Sequence, residues 1–140
     1  MAVSLLASNW PYYFIRQRNS RARVDGQDGT LLFVQDATFQ ERPGLADKTL
    51  VSFKSANAPG RFLRHRHIGV CLDTNDDSEA FHNDASFHVR PGLANPLLVS
   101  FEARNFPERY ERPQNFELFL HENDGSELFR RAAAFRGHMP

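Results

Sequence analysis

"DASFHVRPGLA", residues 84–94, repeats with few changes a string already present at 36–46, "DATFQERPGLA". The two strings lie 48 residues apart, and one more step of 48 from Asp84 reaches Ala132. There, in "AAAFRGHMP", the string returns with its aspartate gone. An internal period of this length decides the fold before any local reading does.

The same register runs along the whole chain without a gap. Ser4, Ser52 and Ser100 open the three units, followed by Asn9-x-Pro11, Asn57-x-Pro59 and Asn105-x-Pro107. Phe14, Phe62 and Tyr110 come next, then Arg16, Arg64 and Arg112. Phe33, Phe81 and Phe129 follow, and Phe39, Phe87 and Phe135 close each unit. The units are 1–48, 49–96 and 97–140.

Within a unit, "YFIRQR", "RFLRHR" and "RYERPQ" are short, aromatic and alternating, which predicts strands. "RARVD", "GVCLD" and "ELFLH" read the same way. Each ends at an Asp/Asn/Gly/Ser cluster that predicts a hairpin turn. "TLLFVQD", "EAFHND" and "ELFRRA" then restart the pattern as further strands. The expectation is nine to twelve short strands in one all-β domain spanning 1–140. Three equal units are too few for most propellers, and a solenoid would need capping ends. A closed threefold barrel capped by hairpins, the β-trefoil, fits best.

The bulk numbers narrow the function classes. A chain of 140 residues is long enough to bury roughly 70% of its unfolded surface. Thirteen phenylalanines are available for the core. The 17 basic and 17 acidic residues cancel, which argues against a nucleic-acid partner. No apolar run approaches membrane-spanning length, so no membrane partner is expected. "MAVSLLASNW" lacks the basic start and apolar length of a secretion signal. The single Cys71 excludes an internal disulfide and is read as a small packed or half-exposed side chain. No cofactor is expected.

Positions kept in all three units are scaffold candidates: the Phe and Leu positions as core, the Asn-x-Pro elements as turns with Asn bonded to its own backbone. The invariant arginine (16, 64, 112) is read as a structural donor to a buried carbonyl. The informative positions are those that differ. Positions 17, 65 and 113 hold Gln, His and Pro, while 36, 84 and 132 hold Asp, Asp and Ala. His65 and Asp84 lie 19 residues apart on neighbouring elements and can meet in space. The third unit has lost both polar groups together, as expected if they share a task that the fold does not need. The plainer reading of the aspartate is a turn cap.

The stretches "NAPGRFLRH", "LDTNDDS" and "DASFHVRPGLA" of unit two resemble, in combination, the arabinose-binding module at the C-terminal end of the arabinofuranosidase B family, family 42 of carbohydrate-binding modules. The weaker outer units extend the resemblance over the whole chain. It implies a β-trefoil with up to three shallow pockets for L-arabinofuranose side chains of arabinoxylan or arabinan. It also implies an extracellular setting and a separate or formerly fused glycosidase, although the absence of a secretion signal leaves a cytoplasmic location as the alternative. The residues it places in the pockets are His65, Arg66 and Asp84 in unit two and Gln17, Arg18 and Asp36 in unit one. Pro113, Gln114 and Ala132 of unit three are expected not to bind. The chemistry suits a sugar. An ionised carboxylate accepts two hydroxyl protons in charge-assisted bonds, and imidazole donates or accepts as its tautomer requires.

Three rival readings remain. Catalysis would need a carboxylate pair, and the cluster Asp73, Asp76 and Asp77 reads more simply as a solvated turn. A metal site at His65, His67, His82, Asp84 and His88 has no counterpart in unit one, where Asn19 stands for His67. A protein-interaction trefoil with decayed sugar pockets is the alternative to glycan binding.

Overall fold

The computed structural model describes residues 1–138, of which twelve strands and three short helices form the framework. The strands are β1 (Ala2–Ala7), β2 (Tyr13–Arg18), β3 (Arg21–Gly26), β4 (Phe39–Pro43), β5 (Val51–Ser55) and β6 (Arg61–Arg66), then β7 (Gly69–Thr74), β8 (Phe87–Pro91), β9 (Val99–Ala103), β10 (Arg109–Gln114), β11 (Glu117–Glu122) and β12 (Phe135–His138). The helices α1 (Leu31–Asp36), α2 (Glu79–Asp84) and α3 (Glu127–Ala132) precede the fourth strand of each unit. The chain thus runs strand–strand–strand–helix–strand three times.

Two pairing systems organise these elements. Antiparallel pairs β1–β4, β4–β5, β5–β8, β8–β9, β9–β12 and β12–β1 return to the starting strand, so this barrel wall has no open edge. The hairpins β2–β3, β6–β7 and β10–β11 close one end. Their second strands touch each other at Arg21↔Cys71, Phe119↔Gly69 and Glu117↔Arg23. Where the first and fourth strands of one unit pair, Val51 faces Phe87 and Val99 faces Phe135. Those phenylalanines fill the centre with Phe53, Phe101, Leu63 and Ile15, all essentially buried. Phe101 lies edge-on to Phe53 at 5.3 Å and tilted against Phe135 at 5.8 Å between ring centroids.

Two expectations are corrected here. The stretches from Leu31, Glu79 and Glu127 are helices, not strands. In each, Thr30, Ser78 or Ser126 caps the N-terminus by accepting the N–H of Phe33, Phe81 or Phe129 at 3.0–3.1 Å. The Asp/Asn/Gly/Ser clusters are therefore helix entrances rather than hairpin turns. Asp28, Asp76 and Asp124 each accept the backbone N–H of the capping residue at 2.8–2.9 Å. The side-chain hydroxyl of Thr30 and then its backbone N–H hold the Asp28 carboxyl below its ordinary range, and Ser78 and Ser126 do the same to Asp76 and Asp124. The true hairpin turns are the two-residue links after β2, β6 and β10. There Asn19, His67 and Asn115 sit at φ +52°, +56° and +51°, a left-handed region that asparagine tolerates well.

"RPGLA" has a steric reason. A Cβ on Gly92 would stand 2.4 Å from the Asn95 carbonyl oxygen, and one on Gly44 would stand 2.5 Å from that of Asp47. Cys71 is free and half-buried, with burial pushing its thiol pKa up.

Candidate functional site

Asp36 and Asp84 end helices α1 and α2, which aims both carboxylates at the strand before the unit's hairpin turn. Around Asp84, the Arg64 guanidinium donates to Oδ2 at 2.5 Å and the Asn105 amide donates to Oδ1 at 3.0 Å. His65 Nε2 lies 3.4 Å from the same Oδ1 and 2.9 Å from Asn105 Oδ1. Its proton there bonds the amide oxygen, while the amide N–H groups turn to the carboxylate. His65, Asp84 and Asn105 form one closed network.

The first unit copies this arrangement with an amide in place of the imidazole. Asp36 accepts from Arg16 at 2.6 Å, from Gln17 Nε2 at 3.2 Å and from Asn57 Nδ2 at 2.8 Å. Asn57 is itself fixed by the Ser55 hydroxyl at 3.0 Å. In the third unit Ala132 leaves nothing to clamp. Arg112 turns its guanidinium over the Phe129 ring at 5.2 Å and meets His121 Nδ1 at 3.3 Å. Desolvation, followed by the charges of Arg112 and Arg109, keeps His121 below the usual imidazole pKa.

The arginines therefore depart from expectation. Arg16 and Arg64 hold the site's carboxylate, Arg112 has none to hold, and only Arg64 also bonds a carbonyl, that of His65 at 3.0 Å. Each guanidinium also lies on a core phenylalanine, Arg16 on Phe33 at 5.0 Å and Arg64 on Phe81 at 4.9 Å. Burial alone would lower the Arg64 pKa; the bonds to Asp84 and Asp73 outweigh it and raise the value. The asparagines depart further. Asn57 and Asn105 were expected to serve only their own turns, yet each reaches back to the aspartate of the preceding unit. The signal was hidden because Asn9 persists where its partner position is Ala132.

Exposure separates the two clusters. The Asp84 side chain is 18% accessible and that of Asp36 8%. His65 is only 3% exposed, because Phe106 from the third unit packs edge-on against its ring at 5.3 Å. Imidazole and carboxylate do converge, but the imidazole lies beneath the surface and only Asp84 reaches it. Arg66 is largely exposed and pairs with Asp73 at 3.1 Å. Asp73 also bonds Arg64 at 3.3 Å, so it belongs to the edge of the site instead of a solvated turn. Arg18 is exposed at the end of β2 and makes no hydrogen bond or ion pair among the described residues. Among those residues no group of three His, Cys, Asp or Glu side chains is placed to hold a metal ion.

Barrel, hairpin cap and helix-borne carboxylates define an all-β module built on a closed strand barrel. The chain belongs to the alpha-L-arabinofuranosidase B (ABFB) domain family, whose profile matches residues 1–89 and 80–139. No curated protein matches it significantly.

Solved structures share the fold. An arabinofuranosidase complexed with arabinofuranosyl-alpha-1,2-xylobiose aligns with a TM-score of 0.89 at 23% identity, over 99% of this chain and 30% of that one. A GH54 α-L-arabinofuranosidase mutant soaked with 4-nitrophenyl α-L-arabinofuranoside gives 0.88 at 22%, over 99% and 31%. The ricin B-like lectin of Macrolepiota procera in complex with lactose gives 0.71 at 10%, over 100% and 96%. The chain thus spans less than a third of the arabinofuranosidases it resembles.

Proposed function

We propose that the chain is a single β-trefoil of three repeats that binds carbohydrate without catalysing its cleavage, taking L-arabinofuranose side chains of arabinoxylan or arabinan. The second repeat is the main site, through Asp84, His65 and Arg66, and the first a weaker one, through Asp36, Gln17 and Arg18. The carrying observation is the clamp itself. Arginine bonds one oxygen of each carboxylate and asparagine the other, and the part of Asp84 that stays exposed has acceptor capacity left for sugar hydroxyls. His65 acts from below, holding Asn105 so that its amide faces the carboxylate. Asp36 offers less than half the exposed surface of Asp84, which ranks the two sites.

A shallow site of this kind is weak alone, with Kd on the order of 0.1–1 mM, and two on one branched polymer gain by avidity. The reading places the module outside the cell, working beside or formerly fused to a glycosidase, with no cofactor. Affinity electrophoresis tests it. Arabinoxylan in the gel should retard the protein and unbranched xylan should not. Asp84→Ala should remove most of the retardation, Asp36→Ala a smaller part, and Ala132→Ser none. Equal migration in both gels refutes the arabinose assignment.

The burial of His65 and Asp36 favours one competing reading, a protein-interaction trefoil whose sugar pockets have closed. No glycan bound on an array, together with a protein recovered by pull-down, would select it.

A further inference from the structure

In units one and two the arginine before the hairpin turn is neutralised twice. Arg16 lies 2.6 Å from Asp36 and 3.6 Å from Asp25, and Arg64 lies 2.5 Å from Asp84 and 3.3 Å from Asp73. The register of 48 gives those two carboxylate positions to Ala132 and His121 in unit three. Arg112 keeps the guanidinium's place over the buried phenylalanine ring of its unit, but has lost both counter-charges.

Nothing nearby replaces them. Nη1 of Arg112 meets His121 Nδ1 at 3.3 Å, an imidazole that desolvation and the charges of Arg112 and Arg109 keep below its usual pKa. The Asp124 carboxylate feels the charge of Arg112, but it is bonded to Ser126, as Asp28 and Asp76 are bonded to Thr30 and Ser78. Nη2, the atom that grips aspartate in the other two units, makes no hydrogen bond among the described residues. The Arg112 side chain is half-buried, so it is partly desolvated and still open to solvent. A cation in that setting without its partner is costly, and a bound anion offsets the cost.

The second donor of the clamp is also kept. Asn9 stands in register with Asn57 and Asn105, whose amides bond Asp36 at 2.8 Å and Asp84 at 3.0 Å. It is exposed, and its side chain makes no hydrogen bond among the described residues. The preceding Ser8 holds this loop beside Ala132, with Oγ bonded to the Arg131 carbonyl at 3.2 Å and N–H bonded to the Ala134 carbonyl at 3.1 Å. Trp10 follows, 38% exposed, with its ring 6.3 Å from that of Phe116, 47% exposed.

We infer that the third seam binds the carboxylate of a ligand, held by Arg112 and Asn9 where units one and two hold their own Asp36 and Asp84. The ligand is a sugar acid of hexuronate size. Trp10 and Phe116 present apolar faces at the same margin, which suit the carbon skeleton of a ring and give a bare ion nothing. The site does not depend on arabinose binding, because neither Asp84 nor Asp36 takes part in it.

The test titrates the full chain with sodium glucuronate at fixed ionic strength, followed by NMR, with glucose and sodium acetate as parallel arms. Glucuronate should shift the Arg112 guanidinium, the His121 ring and the Asn9 amide with a Kd on the order of 1–10 mM. Glucose should shift none of them, and acetate should bind about threefold more weakly or worse. Ala132→Asp returns the carboxylate that units one and two carry, at a position where Asp36 and Asp84 show that the fold accepts it. It fills the clamp from within and should weaken glucuronate binding at least about tenfold. Asp84→Ala should leave glucuronate binding unchanged, which separates this result from that of the arabinose gels. No shift at about 50 mM glucuronate, a step above the Kd expected here, equal shifts with glucose, or unaltered binding in Ala132→Asp would each overturn the site. Acetate binding as tightly as glucuronate would overturn the assignment to a sugar acid.

Discussion

Glu111 occupies a position that the other two units give to Ile15 and Leu63, both fully buried in the core. It lies on β10 opposite Leu120, is 1% exposed, and its Oε2 has no partner among the described residues. Burial pushes its pKa up to about 8, from 4.5. The folded value is raised, so the stability it permits is complete below about pH 4.5, where the carboxyl is neutral in both states. As pH rises from 4.5 to 8 the unfolded chain releases the proton and the folded chain keeps it, at about 1.4 kcal/mol per pH unit. At pH 7 the accumulated penalty is about 3 kcal/mol, a large part of an ordinary domain's stability of about 5–15 kcal/mol. Replacing it as Glu111→Leu restores the side chain that unit two uses and removes the titration. Urea unfolding at pH 5, 6, 7 and 8 should show the variant gaining on the parent by about 1.2 kcal/mol per step up to pH 7 and by about 1 kcal/mol in the last step, where the folded carboxyl begins to ionise. Every other side chain is the same in both proteins, so contributions from elsewhere cancel in the difference. A difference that stays constant from pH 5 to 8 would refute the buried, ionisable Glu111.

Two further outcomes follow from named contacts. Asn105→Ala removes a donor from Asp84 and strands the buried His65 Nε2, so it should cost about 1–3 kcal/mol in unfolding experiments and weaken arabinoxylan retardation. Asn9→Ala, at an exposed residue whose register partner is Ala132 and not an aspartate, should change neither. Gly92→Ala forces its new Cβ against the Asn95 carbonyl oxygen, and should lower the urea midpoint by the equivalent of about 1–3 kcal/mol.

The barrel was legible because alternation survives in six-residue strands, and a threefold register multiplies a weak local signal. The helices were not, because six residues make less than two turns and leave only one buried phenylalanine per helix to mark a face. Thr30, Ser78 and Ser126 were the available sign, but a cap two residues after an aspartate also reads as a turn. At the site, the joint loss of His and Asp from unit three correctly singled out positions 65 and 84 as neighbours. The Asn partners stayed hidden because a residue kept in every unit looks like scaffold. The burial of His65 depends on Phe106, whose counterparts are Ala58 and Trp10. No comparison of His65 with Gln17 and Pro113 could disclose a cover supplied by another unit.

That cover points to a more general property. Asp36 is clamped by Asn57 and Asp84 by Asn105, so each cluster lies on a seam between consecutive units. Cyclic order would give the third seam to Asn9, but Ala132 offers it no carboxylate. A single unit excised from the chain would carry the arginine and aspartate without the asparagine that closes the cluster, and in unit two without the phenylalanine that buries His65. Asp84 would then keep Arg64, and Asp36 would keep Arg16 and Gln17, but each carboxylate would lose the amide donor that the next unit supplies. Formation of the site therefore depends on assembly of the whole barrel. Hence a substitution at Asn105 or Phe106, formally in the third unit, acts on the second unit's site, whereas the equivalent change at Asn9 touches neither aspartate cluster.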